Sequence, residues 1–343
     1  AVIGLILLYS TSAYNGQVKF HDSFYYLKKQ AFATVLGIVL MLFVAGMDYH
    51  IWQRLAVFGY LAAVALSVAV MLFGREINGS KRWLALGPFS FQPSEFAKVA
   101  LILFLADLVT KNVKTIGKMW TLCRIMFWIL PIVGLVGASN LSTAIIILGI
   151  GVILIFVASP KYAQFALMGI AGACFMGIFL ALESYRLERL AIWRNPEKYE
   201  KGYQTLQGLY AIGSGGVFGV GIGNSVQKLG FVPEAQNDMI FSIICEELGI
   251  FGGLIVLMLY AYLLYRLFVI AQNAPDMFGS MIVVGVLAHI SIQVVLNIAV
   301  VTTLIPNTGV SLPFISYGGT SLMFLIIEMG MVLSVSRRIK RIR

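Results

Sequence analysis

Residues 141–158 read LSTAIIILGIGVILIFVA, 18 positions without a single charge. As a helix that stretch is about 27 Å long, close to the ~30 Å hydrocarbon core of a bilayer. Nine more apolar segments lie at 1–14, 30–48, 52–74, 94–111, 122–139, 162–182, 239–270, 277–304 and 313–335. Hydrophobic residues make up 59% of the chain and charged residues 12%, with a mean hydropathy of +0.90. A soluble globule of this size could not hide so much apolar surface. Scarce charge, three Cys and aperiodic Gly exclude disordered, disulfide-rich and collagen-like chains. A transmembrane barrel needs short alternating strands, and these runs are continuous. The expectation is an all-α polytopic membrane protein of about ten transmembrane helices.

The formal net charge of +10 suggests nucleic acid, but the charges are dispersed among the apolar segments. The dense run Arg337, Arg338, Lys340, Arg341 and Arg343 reads as a positive-inside anchor beside the last span. Cys123, Cys174 and Cys245 lie in apolar stretches and read as packing residues. No cleavable signal is visible, and a start without Met inside an apolar run reads as a trimmed one.

Lysines and arginines set the orientation. With both termini cytoplasmic, the inner side carries Arg54, Lys111, Lys114, Lys118, Arg124, Lys161, Arg266 and the tail. The short outer loops carry half as many: Lys19, Lys28, Lys29, Arg75, Lys81 and Arg82.

Two outer loops exceed what a connector needs. Loop 75–93 mixes charge, Gly, Pro and aromatics. Loop 183–238, between spans seven and eight, is long enough to suggest a function of its own. Its first part, ESYRLERLAIWRNPEKYEK, reads as an amphipathic interfacial helix bearing Trp193. Its second part, 202–230, holds nine Gly. GSGGVFGVGIGNS matches neither phosphate-loop pattern and follows no strand, so it reads as tight turns or a re-entrant element. No repeat or linker divides the chain, and 1–343 reads as one membrane domain.

Asp238 is the sharpest chemical signal. It lies after Pro233, directly before the eighth span, where a helix is expected to begin near Asn237. It suits a helix cap, and equally a carboxylate desolvated enough to act as a base. Glu246 and Glu247 lie deeper in the same span, where ionisable residues usually face a partner or a cavity. Glu95 and Lys98 share a helix face, either as a pair or as an anion-holding Lys oriented by its neighbour. Glu328 stands alone in the last span. His289, Gln293 and Asn297 stripe one face of the ninth, as interhelical bonds or a polar wall. Lys81, Arg82 and Trp83 fit an interfacial anchor or a pyrophosphate–sugar contact.

Three stretches carry a resemblance: GSKRWLALGPFSFQPSEFAK (79–98), GYQTLQGLYAIGSGGVFGVGIGNSVQKLGFVPEAQNDMIFSIICEELG (202–249) and LIPNTGVSLPFISYGGTS (304–321). Together they resemble the SEDS family of shape, elongation, division and sporulation proteins, whose members include FtsW, RodA and SpoVE. The likeness covers nearly the whole chain, and the wording leans to the FtsW/SpoVE branch. It implies a peptidoglycan glycosyltransferase that polymerises lipid II at the outer face of the cytoplasmic membrane, beside a class B penicillin-binding protein and other division or elongation proteins.

The resemblance matches Asp238 to the family's essential acid and Trp83 to the tryptophan of G-S-x-R-W. It matches Glu95 and Lys98 to Q-P-S-E-x-x-K, and the third stretch adds Ser316 and Gly318 as substrate-binding candidates. Two departures stand out: Asn140 where many members have Asp, and Met239 for a common Phe. The implied chemistry is an inverting displacement with Asp238 as general base. Lys98, Arg82 and Lys81 stabilise the leaving pyrophosphate, and a divalent cation could assist although no ligand cluster shows. A lipid II flippase and a non-catalytic scaffold remain as rivals. Clustering of the candidates toward the outer side favours the enzyme.

Overall fold

The computed structural model describes residues 2–77, 80–86, 89–159, 161, 163–165, 169 and 191–339. The expected span 162–182, Cys174, residues 183–190 of the expected interfacial helix, the side chain of Lys81, and Lys340, Arg341 and Arg343 fall outside that description in whole or most part. The described chain is almost wholly helical. Its long helices are α1 (Val2–Phe20), α2 (Tyr25–Gly46), α3 (Tyr49–Phe73), α4 (Pro93–Asn112), α5 (Met119–Ser139), α6 (Leu141–Ala158), α7 (Tyr203–Ser214), α8 (Ile240–Gln272), α9 (Met277–Val301) and α10 (Gly319–Ser336).

Among the described residues, α2, α3, α5, α6, α8, α9 and α10 are long and apolar enough to cross a membrane. The protein is therefore an integral membrane protein. Helices α1 and α4 occupy the segments expected at 1–14 and 94–111, but are more polar. Helix α4 carries Glu95, Lys98, Asp107 and Lys111. Among the described spans, expected and observed boundaries agree within about three residues except at three ends: α1 runs on to Phe20 rather than 14, α2 begins at Tyr25 rather than 30, and 313–318 is not helical. That apolar stretch is a turn in which Phe314 adopts φ 63°, and α10 begins only at Gly319.

The chain forms two compact units interleaved in sequence. The first comprises Ala1–Phe32, Phe165–Tyr262 and Gln293–Gly318; the second comprises Ala33–Gln164, Leu263–Ile292 and Gly319–Arg343.

In the second unit α4 is the central helix. It packs on α3, α5 and α6, and is buried almost all round from Ala97 to Val109. Small residues bring helices close: a Cβ on Gly285 would meet the Ile102 side chain at 2.5 Å, and one on Gly330 the Met41 carbonyl at 2.7 Å. Loop 75–93 folds into an antiparallel sheet of β1 (Arg75–Ile77), β2 (Ser80–Leu86) and β3 (Phe89–Phe91), in that order. Arg75 pairs with Trp83 and Glu76 with Lys81, across a bulge between Arg75 and Glu76.

In the first unit α8 is broken. Gly249 has φ 70° and ψ −172°, so the helical ladder is interrupted there. The glycine-rich loop mends the gap. The N–H groups of Val220 and Gly221 donate to the Glu246 and Glu247 carbonyls at 3.0 and 2.9 Å. Ile250 and Phe251 donate to the Gly216 and Val217 carbonyls at 3.0 and 3.1 Å. Within a membrane, unpaired peptide groups are costly, and backbone supplied by the loop removes that cost. The close approach also demands glycine. A Cβ on Gly249 would collide with the Val217 carbonyl oxygen, and one on Gly219 with that of Glu247.

Candidate active site

Asp238 lies two residues ahead of α8, and Met239 already accepts the first helical turn through its carbonyl (Ser242 N–H, 3.1 Å). The segment 236–238 is strapped by the returning loop 307–318. Asn297, near the end of α9, donates to the Asp238 carbonyl at 2.9 Å and to the Val310 carbonyl at 2.7 Å. Ser316 Oγ donates to the Asn237 carbonyl at 2.5 Å and accepts from the Leu312 N–H at 2.8 Å. The Tyr317 N–H donates to the Gln236 carbonyl at 2.9 Å. Gly318 N–H in turn donates to Gln30 Oε1 at 3.1 Å, and Gln30 Nε2 donates to the Ser316 carbonyl at 3.0 Å. Ser316 thus holds the backbone that carries the acid, and Gly318 bonds Gln30, which holds Ser316 in turn.

The Asp238 carboxylate is partly buried, and its Oδ1 accepts from Gln204 Nε2 at 3.4 Å. Burial pushes its pKa up to about 7; the neighbouring Glu234 adds to the rise, and the Met239 N–H and Gln204 oppose it. An acid balanced near neutrality suits proton transfer at physiological pH.

Lys81, Arg82, Trp83, Glu95, Lys98, His289 and Glu328 belong to the second unit. Lys98 and Glu95 meet at 2.9 Å, both buried. The Ser321 hydroxyl bonds Glu95, and His289 lies within electrostatic reach of it. His289 Nδ1 faces the Glu328 carboxylate at 2.9 Å, both fully buried, so Glu328 has its partner. Of the polar stripe on α9, Gln293 bonds the Ser311 carbonyl at 3.1 Å and Asn297 the Asp238 strap, both within the first unit. Arg82 Nε donates to the Ser139 carbonyl at 3.0 Å. Arg82 also lines a small cavity, room for about one water, with Ser67, Pro93 and Asn140. Asn140 caps α6, its Oδ1 accepting from the Thr143 N–H at 3.2 Å. Trp83 is partly exposed on β2.

Glu246 and Glu247 have structural partners. Glu246 accepts from Ser225 Oγ at 2.5 Å and from the Val226 N–H at 3.0 Å. Glu247 pairs with Lys228 at 2.6 Å and accepts from Ser10 Oγ at 2.7 Å. Trp193, expected on an interfacial helix, donates its indole N–H to the Thr303 carbonyl at 2.7 Å. Cys245 is buried as expected, whereas Cys123 is exposed. Among the described residues no group of three His, Cys, Asp or Glu could hold a metal ion.

The sequence model of the family described as "Cell cycle protein", covering FtsW, RodA and SpoVE, matches residues 1–341. The chain belongs to the FtsW/RodA/SpoVE family. Stage V sporulation protein E of Bacillus subtilis is 40% identical over 98% of this chain and 93% of its own length. A protein named probable peptidoglycan glycosyltransferase FtsW, from Trichlorobacter lovleyi, is 34% identical over 98% of this chain and 90% of its own. A chain from a peptidoglycan synthase complex, solved for its coordination of polymerization and crosslinking, superposes with a TM-score of 0.81. It is 28% identical and covers 99% of this chain and 97% of that one. The rod shape determining protein RodA of Thermus thermophilus superposes with a TM-score of 0.70 at 28% identity, over 99% and 96% of the two chains.

Family membership frames what sequence reasoning missed. Gln204 and Asn307 lie inside the resembling stretches, yet nothing local singles them out. Their partnership spans 103 positions, and amides in apolar sequence carry no charge to draw attention. Asn297 is visible as part of a stripe, though not as the residue that holds the Asp238 carbonyl.

Proposed function

We propose that this protein is a peptidoglycan glycosyltransferase that polymerises lipid II into glycan strands at the outer face of the cytoplasmic membrane. The observation that carries the reading is the Asp238 carboxylate: its backbone held by Asn297, with Ser316 on the preceding carbonyl, and its pKa raised by burial to about 7. The name of the Trichlorobacter lovleyi relative points the same way.

The acceptor sugar's 4-hydroxyl oxygen attacks the anomeric carbon of the donor. The bond from that carbon to the pyrophosphate oxygen breaks, and the lipid pyrophosphate leaves with the electron pair. Asp238 takes the hydroxyl proton, a role worth about 10²–10⁴-fold. Arg82, Lys81 and Lys98 supply cationic stabilisation to the leaving group, Trp83 contacts the sugar, and Glu95 holds Lys98 in place. Both termini are cytoplasmic, and the whole chain works as one membrane domain beside a class B penicillin-binding protein that crosslinks the strands.

The test is polymerisation of purified lipid II by reconstituted protein with its penicillin-binding partner, wild type against Asp238→Asn. Strands from the wild type and none from a folded, partner-bound variant support the reading. Equal polymer from both removes Asp238 from the chemistry. Translocation without polymer from either moves the assignment to a flippase.

A further inference from the structure

The hydrogen bonds around the Asp238 side chain have a single permitted direction. Gly309 donates its N–H to Asn307 Oδ1 at 3.1 Å. A backbone N–H can only donate, so Asn307 must present its oxygen there and its NH₂ elsewhere. That NH₂ donates to Gln204 Oε1 at 3.0 Å. Gln204 must therefore turn its own NH₂ the other way, toward Asp238 Oδ1 at 3.4 Å and the Pro233 carbonyl at 3.3 Å. A carboxylate only accepts, so the far end agrees with the near one. Gly309 has φ 65°, and a Cβ there would approach Asp238 Oδ2 at 3.8 Å; the absence of a side chain keeps that second oxygen's flank open.

We propose that Gln204 and Asn307 form a positioning relay that holds Oδ1 of Asp238 through a fixed-polarity amide chain and so aims the carboxylate at the acceptor hydroxyl. The relay rests on the reading of Asp238 as the base. Neither amide touches the reacting atoms. Asn307 acts through Gln204, and Gln204 acts on the acid's orientation and charge. A misaimed base costs up to about 10²-fold in rate. Loss of the Gln204 donor also removes a hydrogen bond that favours the ionised acid, so the acid limb of the pH–rate profile moves to higher pH.

The experiment measures lipid II polymerisation against pH for the reconstituted protein with its crosslinking partner, and for Gln204→Leu, Asn307→Leu, their double variant, Asn307→Asp and Asp238→Asn. Thermal unfolding in detergent serves as the folding control. Each single Leu variant is expected to lower kcat by about tenfold or more with KM little changed, and to move the acid limb upward. The double variant is expected to be no worse than Gln204→Leu, because the two residues act in series. Asn307→Asp keeps the volume but offers only acceptors, so it is expected to lower kcat at least as much as Asn307→Leu. An unmoved acid limb, multiplying effects in the double variant, or a fully active Asn307→Asp overturns the relay. Should Gln204→Leu fail to fold, the nearly isosteric Asn307→Asp decides. Inactive Asp238→Asn with wild-type behaviour in the Gln204 variants sinks the relay alone, whereas active Asp238→Asn sinks the base and the relay with it.

Discussion

Lys228 Nζ and Glu247 Oε1 meet at 2.6 Å in the interior of the first unit, with the two side chains 7% and 1% exposed. Ser10 of α1 bonds the same carboxylate, so the pair joins three separate segments of the chain. Removing one member leaves a buried charge without a partner. Lys228→Met is expected to destabilise the protein by about 3–5 kcal/mol, and Lys228→Met with Glu247→Leu by much less. Thermal unfolding of both variants in one detergent checks this. A double variant as unstable as the single one removes the ion pair as the cause.

The break in α8 predicts a contrast between two glycines. Gly249→Ala puts a Cβ at φ 70° and into the Val217 carbonyl oxygen. Folded protein should be largely lost, because neither the strain nor the clash can relax while the loop stays bonded to the helix. A methyl group added at Gly134, in α5, would meet nothing within 4 Å. Gly134→Ala should be neutral or stabilising by up to about 1 kcal/mol. Yield of monodisperse protein and melting temperature separate the two.

Asp238 makes two pH predictions of definite sign. Activity needs the ionised form, so the rate should rise through about pH 7 and level off above it. Stability runs the other way. The folded state holds the proton that the unfolded chain releases near pH 4, so this group's favourable contribution is full below about pH 4 and is lost by about pH 7. Asp238→Asn removes that loss. Its melting temperature relative to wild type should climb between about pH 4 and 7 and then stay constant. A difference that is flat across the whole range contradicts the buried-acid account.

Asn140 tests the departure from the family's common Asp. Asn140→Asp retains the cap on α6, adds a negative charge at a helix N-terminus and places it in the cavity that Arg82 lines. A gain of about 0.3–1 kcal/mol is expected, falling with added salt. Melting temperatures at low and high ionic strength measure it.

Much of the helical frame is legible because bilayer thickness imposes both the length and the composition of a span. The span expected at 141–158 forms with the same bounds. Where apolarity and helicity part company the pattern fails. Pro313 and Phe314 are as apolar as any span, yet they form a turn whose Tyr317 N–H is committed to Gln236. The small sheet escapes sequence reading because β2 mixes Lys81, Arg82 and Trp83 without a clean period-two alternation. In the candidate site the acids and bases are visible one by one, since charge in an apolar chain is conspicuous. Partners are another matter: Glu328 stands alone in sequence and lies against His289, 39 positions away. Pairing across such distances is set by tertiary packing, and no local pattern records it.

The mended break in α8 has a consequence for how this protein can vary. A loop whose main chain completes another segment's hydrogen-bond ladder cannot change length there without opening the ladder. Insertions should be excluded from 216–221 and from 246–251 alike, as if the two stretches were one reading frame shared by distant parts of the chain. Side chains at Val217, Phe218 and Val220 are exposed and free to change. Tolerance to substitution at those three positions and intolerance to insertion then coexist within six residues whose glycines are themselves fixed, which inverts the usual expectation for a surface loop.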